Sequence, residues 1–234
     1  MIKNLNIVIT GTSQGIGYEL TKKFLNQNNF VWGCSRKKSN IKNANYFHTQ
    51  IDLTNKKQIK KWVIKIEKET KKKIDIFISN AANYERSLNA LDNSGSITRT
   101  IGTNLTAPIL LTNLLSKSMI QNKFGIIIFF SSVASILHDA GTSAYASSKS
   151  GLETFSKILK KELEIFNVKV FVLRLIYLKT SLSKKLSNKQ IKKLKNKFKT
   201  DNYGSINKIY GQINKIYKTK KKIVENLIFD KQNV

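Results

Sequence analysis

The chain has 234 residues, 41% of them hydrophobic, and carries 42 Lys and Arg against 14 Asp and Glu. This length predicts one domain with a single large hydrophobic core. Cys34 has no second cysteine to pair with, which excludes a disulfide-stapled scaffold. The sequence opens without an apolar signal segment, and its longest apolar stretch, Phe124 to Leu137, is too short to cross a bilayer. We therefore expect a cytoplasmic protein.

The net charge of +28 would ordinarily suggest a polyanionic partner. Only four of the cations, however, are arginines: Arg36, Arg86, Arg99 and Arg174. Surfaces that bind nucleic acid usually use arginine for bidentate contacts and aromatic side chains for stacking. The lysine excess, with frequent Asn and Ile, is instead typical of coding drift in an AT-rich genome. We predict no specific nucleic-acid partner.

Short runs rich in Ile, Val and Phe alternate with amphipathic stretches of helical length, which indicates βαβ units and a parallel sheet. The predicted strands are Leu5 to Thr10, Phe30 to Cys34, Tyr46 to Ile51, Ile74 to Ser79, Gly125 to Ser131, Val168 to Leu175 and Ile223 to Phe229. The predicted helices are Gly15 to Asn28, Lys56 to Lys72, about Ile97 to Gln121, and Thr142 to Phe166. The sequence therefore predicts an α/β fold, with a seven-stranded parallel sheet and helices on both faces.

The C-terminal quarter has a different character. Ser181 to Lys199 is lysine-rich and amphipathic, and Ile206 to Tyr217 contains INKIY twice. Two heptads are too few for a coiled coil. We therefore favour a surface helix with isoleucines facing the core over a dimerisation zipper. These isoleucines are Ile206, Ile209, Ile213 and Ile216.

A glycine-rich turn follows the first predicted strand. The sequence from Thr10 to Gly17 reads TGTSQGIG and leads directly into a predicted helix. Glycine lets the backbone turn tightly and lets a pyrophosphate approach the helix N-terminus, where free N–H groups and the helix dipole favour anions. Its place in the first βαβ unit predicts a dinucleotide-binding site.

Further motifs follow this turn in order. Asp52 opens a DLT segment, Asn80 opens an NAA segment, Asn104 lies within TNLTAP, and Tyr145 and Lys149 form a YxxxK pair. Together with the TGxxxGIG turn, these motifs resemble those of the short-chain dehydrogenase/reductase family. The resemblance covers most of the chain, with NAA in place of the family's NAG.

The resemblance implies a single Rossmann-like, doubly wound domain over residues 1–234, with a substrate loop and C-terminal helical segment at about 177–220. The implied catalytic residues are Asn104, Ser132, Tyr145 and Lys149. The cofactor-binding residues that we predict are Gly11, Ser13, Gln14, Gly15, Ile16, Gly17, Ser35, Arg36, Asp52, Leu53, Asn80, Ala81, Ala82, Tyr145, Lys149 and Thr180. We predict no metal site, because His48 and His138 show no ligand spacing with Cys34.

Two other YxxxK matches occur, at Tyr18 with Lys22 and at Tyr217 with Lys221, as chance predicts in so lysine-rich a chain. Tyr145 differs from them because it follows a buried predicted strand that ends in serines and lies on a predicted helix. Residues four apart on a helix share a face. A lysine ammonium beside the phenol favours the phenolate, so we expect a lowered pKa for Tyr145.

The resemblance also implies a role for each member of this group. Tyr145 exchanges a proton with the substrate oxygen, which Ser132 orients by hydrogen bonding. Lys149 lowers the tyrosine pKa and holds the nicotinamide ribose, and Asn104 positions a water for proton relay.

Several of these residues also have purely structural interpretations. Ser132 could simply end a strand, and Asn104 could be an amide on a helix surface. Asp52 could cap the following helix. We interpret Cys34 as a small buried strand residue and His138 as a solvated loop histidine.

The sequence departs from the family after the sixth predicted strand. Family members usually carry Pro-Gly followed by a threonine there, whereas residues 175–180 read LIYLKT, so Thr180 matches and Pro-Gly does not. Bulky residues at this point could shift the cofactor or narrow the pocket. A second hypothesis therefore remains open: a catalytically degenerate dinucleotide-binding sensor or scaffold.

The end of the second predicted strand indicates the cofactor. An NAD enzyme of this class normally has an acidic residue there, but the sequence has Ser35 followed by Arg36. The hydroxyl of Ser35 can donate to a phosphate oxygen, and the guanidinium of Arg36 suits bidentate phosphate contact. We therefore predict a preference for NADP(H) over NAD(H). The family resemblance further implies an oxidoreductase that interconverts a small-molecule carbonyl and a secondary alcohol and that forms a homodimer or homotetramer.

Overall fold

The computed structural model describes residues 2–92, 94–175, 205–218 and the backbone of 227–228. Seven strands form one sheet: β1 (Asn6–Thr10), β2 (Phe30–Ser35), β3 (Tyr46–Gln50), β4 (Ile76–Ser79), β5 (Gly125–Ser132), β6 (Val168–Leu175) and β7 (Leu227–Ile228). Their order is β3-β2-β1-β4-β5-β6-β7, and all neighbouring pairs are parallel. The predicted seven-stranded parallel sheet is confirmed.

The helices in the described part of the chain are α1 (Gly15–Leu25), α2 (Lys56–Glu69), α3 (Ser96–Ile101), α4 (Ala107–Gln121), α5 (Ala134–Leu137), α6 (Ser143–Glu164) and α7 (Ile206–Lys218). A π-helical turn, Gly102–Thr106, separates α3 from α4, where the sequence predicted one continuous helix. None of the described helices is long and apolar enough to span a bilayer.

Two hydrophobic cores lie on opposite faces of the sheet. One is built with α2, α4 and α6, and the other with α1 and α7. Within β1, Val8 faces the first core, whereas Ile7 and Ile9 face the second. Burial on both faces explains why the strands read as continuous apolar runs, and it confirms the doubly wound arrangement.

The strand order reverses at β1. From β1 the chain builds outward through β2 and β3, and then returns to place β4 on the other side of β1. In doubly wound sheets a crevice opens at such a reversal, beyond the carboxyl ends of the strands. The glycine turn after Thr10 and the segment after Ser79 both begin at this crevice.

The start of α2 tests the interpretation of Asp52 as a helix cap. The side chain of Asn55 caps the helix by accepting hydrogen bonds from the backbone N–H groups of Lys57 (3.0 Å) and Gln58 (3.1 Å). The carboxylate of Asp52 instead accepts from the backbone N–H of Thr54 at 2.9 Å and from its hydroxyl at 2.8 Å. The helix-cap interpretation of Asp52 is therefore wrong.

Helix α7 packs on the second core as predicted. Ile209 and Ile213 are fully buried, Ile216 is nearly so, and Ile206 is partly buried against the same core. The ring of Tyr210 meets Phe24 of α1 edge-on, with centroids 5.2 Å apart. The predictions for 181–199 and for most of 223–229 lie outside the described residues, but Leu227–Ile228 pairs with β6.

Ile213→Ala should lower the free energy of unfolding by about 2 to 4 kcal/mol, because it removes a fully buried side chain and leaves a cavity between α7 and the sheet. Urea denaturation measures this effect. Ile158→Ala on α6, whose side chain is 53% exposed, is the control and should cost clearly less. Equal losses for the two variants would show that α7 is not docked on the core.

Candidate functional site

A cavity of about 540 Å³ opens at the crevice between β1 and β4. Most of the predicted cofactor-binding residues line it, namely Gly11, Ser13, Gln14, Gly15, Ile16, Ser35, Arg36, Asp52, Leu53, Asn80, Ala81 and Ala82. Lys37, Ile51, Asn83 and Thr103 also line it, and the predicted set of cofactor-binding residues did not include them. Thr180 lies outside the described residues.

The floor of the cavity depends on close backbone contact between the glycine turn and the segment after β4. Gly11 has a φ of +78°, and a Cβ there would lie 2.9 Å from the Cα of Ala81. A Cβ on Gly17 would collide with the carbonyl oxygen of Gly11. The Nδ2 of Asn80 donates to the carbonyl of Thr10 at 2.8 Å, which ties the two segments together. Both glycines are required by this packing.

The N-terminus of α1 meets the requirements of a pyrophosphate site. Gln14, at the cap position, makes no side-chain hydrogen bond to the first turn, so the amides of that turn, which begins at Gly15, keep their donors for a ligand. The glycine that the family has after Asn80-Ala81 is replaced by Ala82, whose φ is not positive. Alanine fits there without strain. The residues present therefore suit a dinucleotide.

The end of the cavity at Ser35 and Arg36 contains a hydrogen bond that the sequence did not predict. The hydroxyl of Ser35 donates to the backbone carbonyl of Lys37 at 2.7 Å, so its single proton is committed within the loop. The Nε2 of His48 lies 2.8 Å from the same oxygen and must act as the donor. Donation from Ser35 to a phosphate would require this hydroxyl to leave the carbonyl of Lys37, and the contact stays a prediction. The exposed cations Arg36 and Lys37 are left to face an anion.

Asp52 forms part of the opposite wall. Its pKa is lowered mainly by the hydrogen bond from the backbone of Thr54, with smaller contributions from the charges of Arg36 and Arg99. The carboxylate is therefore ionised at neutral pH, and it can accept hydrogen bonds from a ligand with its remaining lone pairs.

The structure brings three of the four predicted catalytic residues together beside α6. Tyr145 and Lys149 are buried on one face of α6, and Ser132 ends the neighbouring strand β5. Ser132 lies near the phenol of Tyr145 and lowers its pKa. The Nζ of Lys149 lies 5.8 Å from the centroid of the Tyr145 ring and donates to the carbonyl of Phe130 at 2.7 Å. Tyr145 and Lys149 do not line the cavity described above.

Burial changes the proton affinity of both α6 residues. It raises the pKa of Tyr145 to about 12, against the lowering effect of the Ser132 hydrogen bond. It lowers the pKa of Lys149 to about 8, against the raising effect of Glu153. The prediction of a lowered Tyr145 pKa is therefore wrong for the cofactor-free protein, because desolvation of the phenolate outweighs the distant ammonium.

Asn104 lies on the π-helical turn between α3 and α4 and is fully buried. Its Oδ1 accepts from the backbone N–H of Asn83 at 2.7 Å. Its Nδ2 donates to the carbonyl of Asn83 at 2.9 Å and to the hydroxyl of Ser148 at 3.2 Å. Asn104 is thus no surface amide. Both of its side-chain hydrogens are used to join the loop after β4 to α6.

The sequence missed Tyr84, which packs against Tyr145. Its ring meets Tyr145 edge-on, with centroids 4.8 Å apart. Two hydrogen bonds close the neighbouring loops over the pair, from Ser87 N–H to the carbonyl of Gly141 (3.2 Å) and from Arg86 to the carbonyl of Ala140 (2.9 Å). Position in the sequence could have indicated Tyr84, because residues 83 and 84 directly follow the NAA motif.

The structure also locates the residues for which we expected no direct role in function. Cys34 is fully buried in β2, and burial raises the pKa of its thiol. His138 is exposed, as predicted. Tyr18 and Lys22 form a cation–π pair on α1, at 5.6 Å, whereas Lys221 lies outside the described residues. Within the described ranges no group of three or more His, Cys, Asp or Glu side chains could hold a metal.

A glycine-lined crevice at the reversal point of a parallel sheet defines a dinucleotide-binding domain. The family model for short chain dehydrogenase matches residues 5–191 of this chain. The chain belongs to the short-chain dehydrogenase/reductase family, whose members are NAD(P)-dependent oxidoreductases.

Similar proteins agree with this assignment. The chain is 33% identical over 190 residues to the 3-oxoacyl-(acyl-carrier-protein) reductase FabG of Buchnera aphidicola subsp. Acyrthosiphon pisum (strain APS), covering 79% of this chain and 78% of that protein. It is 28% identical over 209 residues to FabG of Buchnera aphidicola subsp. Baizongia pistaciae (strain Bp), covering 86% and 85%. A solved structure of 4-hydroxyisoleucine dehydrogenase complexed with NADH has the same fold, with a TM-score of 0.85, 23% identity and 97% of each chain covered.

Lys149→Met should raise the free energy of unfolding at pH 7 by about 2 to 4 kcal/mol, because the buried ammonium of Lys149 costs stability. The folded-state pKa of about 8 is below the unfolded value of 10.5, so the unfolded chain binds more protons between these pH values. The wild type should therefore gain stability as the pH rises from 8 towards 10.5, and the advantage of the variant should shrink.

Urea denaturation at pH 7 and pH 9.5 measures this difference. Lys157→Met is the control, because it removes an exposed lysine from the same helix and should change stability little at either pH. A difference between Lys149→Met and wild type that stays constant with pH would contradict the lowered Lys149 pKa.

Proposed function

We propose that the protein is an NADP(H)-dependent oxidoreductase that interconverts a carbonyl and a secondary alcohol, with Tyr145 as the general acid and base. One observation carries this proposal: the fold brings Ser132, Tyr145 and Lys149 together from two separate elements. Two relatives are named as 3-oxoacyl-(acyl-carrier-protein) reductases, so a 3-oxoacyl thioester is the first carbonyl substrate to test.

Tyr145 is suited to hold the proton that carbonyl reduction needs. With its pKa raised to about 12, the phenol is fully protonated at neutral pH and can donate to an oxygen that becomes negative. In the reverse direction the phenolate must accept a proton, and a buried positive charge nearby makes that state accessible. Lys149 can supply this charge if its ammonium turns from the carbonyl of Phe130 towards the phenol.

Ser132 and Asn104 support Tyr145 in different ways. The Oγ of Ser132 accepts from the backbone N–H of Ala134 at 3.2 Å, which leaves its proton for the tyrosine or a substrate oxygen. Both side-chain hydrogens of Asn104 are committed to protein acceptors, so a relay water held by this residue would have to donate to one of its oxygens.

The chain can bind the cofactor with the residues of the cavity. The amides at the start of α1 would hold the pyrophosphate, Asp52 and Leu53 would border the adenosine, and Arg36 with Lys37 would meet a 2′-phosphate. When bound, the nicotinamide supplies or accepts the hydride.

The rival hypothesis is a dinucleotide-binding sensor or scaffold without turnover. The departure from Pro-Gly after β6 favours it, and the assembled Ser132, Tyr145 and Lys149 oppose it. NADPH consumption with a panel of ketones and a 3-oxoacyl thioester separates the two, because the rival binds NADPH but consumes none. Polyanion binding through the lysines would instead appear as a steep salt dependence in a nucleic-acid titration.

Tyr145→Phe should lower turnover by about two to four orders of magnitude while leaving NADPH affinity nearly unchanged, because it removes the proton but keeps the ring. Steady-state kinetics and fluorescence titration measure the two effects. Tyr18→Phe, in the YxxxK match on α1, is the matched control and should keep full activity. Most of the activity surviving in Tyr145→Phe would overturn the assigned mechanism.

The unmodified protein should bind NADPH about ten- to a hundredfold more tightly than NADH, because a charge-assisted phosphate contact contributes about 1.5 to 3 kcal/mol. Ser35→Asp combined with Arg36→Ala should reverse that order, since a carboxylate there repels the 2′-phosphate and accepts from ribose hydroxyls.

Dissociation constants for both cofactors at moderate salt test this preference, because salt suppresses non-specific attraction by lysines. Lys42→Ala removes one exposed charge that does not line the cavity, and it should leave the ratio of the two constants unchanged. Equal constants for NADPH and NADH in the wild type would refute the proposed cofactor.

A further inference from the structure

A buried ion pair lies one helical turn beyond Lys149. Glu153 of α6 and Arg174 of β6 are each 8% exposed. The Nε of Arg174 donates to Glu153 Oε1 at 2.9 Å, and its Nη2 contacts Oε2 in a bidentate pair. Arg174 is one of only four arginines among 42 cations, at a place where a lysine could not form the same fork.

The same carboxylate holds the segment around the catalytic serine. Ser131 donates to Glu153 Oε1 at 2.6 Å, and Ser135 lies 2.9 Å from the same atom. These two serines lie on either side of Ser132, at the end of β5 and in α5. Ser135 also lies 2.8 Å from the carbonyl of Ser132. Glu153 is thus the common acceptor of the segment that carries Ser132.

We propose that Glu153 is a positioning residue, which holds Ser132 of β5 at a set distance from Tyr145 of α6 through Ser131 and Ser135. This inference rests on the proposed function, because it assumes that Ser132 and Tyr145 act together. The two catalytic groups belong to separate elements, so their distance depends on contacts that cross between β5 and α6. Glu153 supplies such contacts from the helix that carries Tyr145.

Arg174 keeps this acceptor charged and oriented. Burial by itself would raise the pKa of Glu153, but the hydrogen bonds from Arg174, Ser131 and Ser135 outweigh it and lower the pKa. An ionised carboxylate accepts from all three partners, whereas a protonated one would lose part of that capacity. Arg174 also fixes the end of β6 to α6, directly before Leu175, where the LIYLKT motif begins.

A purely structural role for the ion pair makes a different prediction. Buried ion pairs can often be replaced by apolar side chains without loss of stability, so stability alone does not explain this network. If Glu153 only stabilises the fold, activity should return whenever stability does. If it positions Ser132, activity should follow the presence of an acceptor at residue 153.

Two double variants separate these predictions. Glu153→Gln with Arg174→Met keeps an acceptor oxygen for the serines, and Glu153→Leu with Arg174→Met removes it. We expect kcat with NADPH and a 3-oxoacyl thioester to stay within about threefold of wild type in the first and to fall about 10- to 100-fold in the second. Dissociation constants for NADPH should be unchanged in both, and the pH profile of kcat should shift only in the second.

Ser131→Ala with Ser135→Ala tests the same contact while keeping the ion pair, in case the leucine variant does not fold. It should lower kcat like the leucine variant and leave the melting temperature near that of the control, Ser156→Ala. Ser156 is buried on α6 and donates to the backbone carbonyl of Glu153 at 2.8 Å. Full activity in Ser131→Ala/Ser135→Ala, or kcat that follows melting temperature across all variants, would overturn the inference.

A readout without turnover distinguishes this inference from the proposed function. In the cofactor-free protein, the 13C shift of the Tyr145 Cζ reports the interaction of its phenol with Ser132, with Ser132→Ala as the reference for its loss. The leucine and double-serine variants should move to that reference, and the glutamine variant should stay with wild type. If the wild type consumes no NADPH with any substrate, the proposed function fails, and an unmoved Cζ shift in the double-serine variant refutes the positioning role independently.

Discussion

Parallel pairing of the strands is the constraint on which the candidate site depends. Because β1, β2, β4 and β5 run in one direction, the segments that follow them all emerge at the same edge of the sheet. The reversal of strand order at β1 opens a crevice there. Gly11 and Gly17 pack tightly against the segment after β4, so the backbone at the bottom of the crevice leaves space for a ligand. Larger side chains at either glycine would lift the backbone from a ligand.

Helix α6 carries the polar side chains that this edge buries. Tyr145, Lys149 and Glu153 are spaced four residues apart, and all three are buried. The cost of burying a charged group is met in a different way at each of them. Tyr145 remains protonated, the proton of Lys149 is loosely held, and Glu153 stays ionised because Arg174 pairs with it. Burying these groups lowers stability, but it leaves a protonated tyrosine beside a titratable lysine.

Local patterns accounted for the sheet and for most of the cavity. Non-alternating apolar runs predicted strands buried on both faces, and spaced motifs predicted twelve of the sixteen residues that line the crevice. A prediction failed where more than one nearby side chain could form the same local hydrogen bonds. Asn55 caps α2 in place of Asp52. Such choices depend on distances of tenths of an ångström, which a residue pattern does not contain.

The sequence by itself determined the α/β fold, the glycine turn and the spacing of Tyr145 and Lys149, because these follow from periodicity and local backbone requirements. Tertiary structure decided the π turn that buries Asn104, the Tyr84 ring over Tyr145, and the sign of the Tyr145 pKa shift. It also joined Glu153 to Arg174 and to the serines beside Ser132. These features depend on contacts between residues distant in the chain, and desolvation is set by everything that packs around a group.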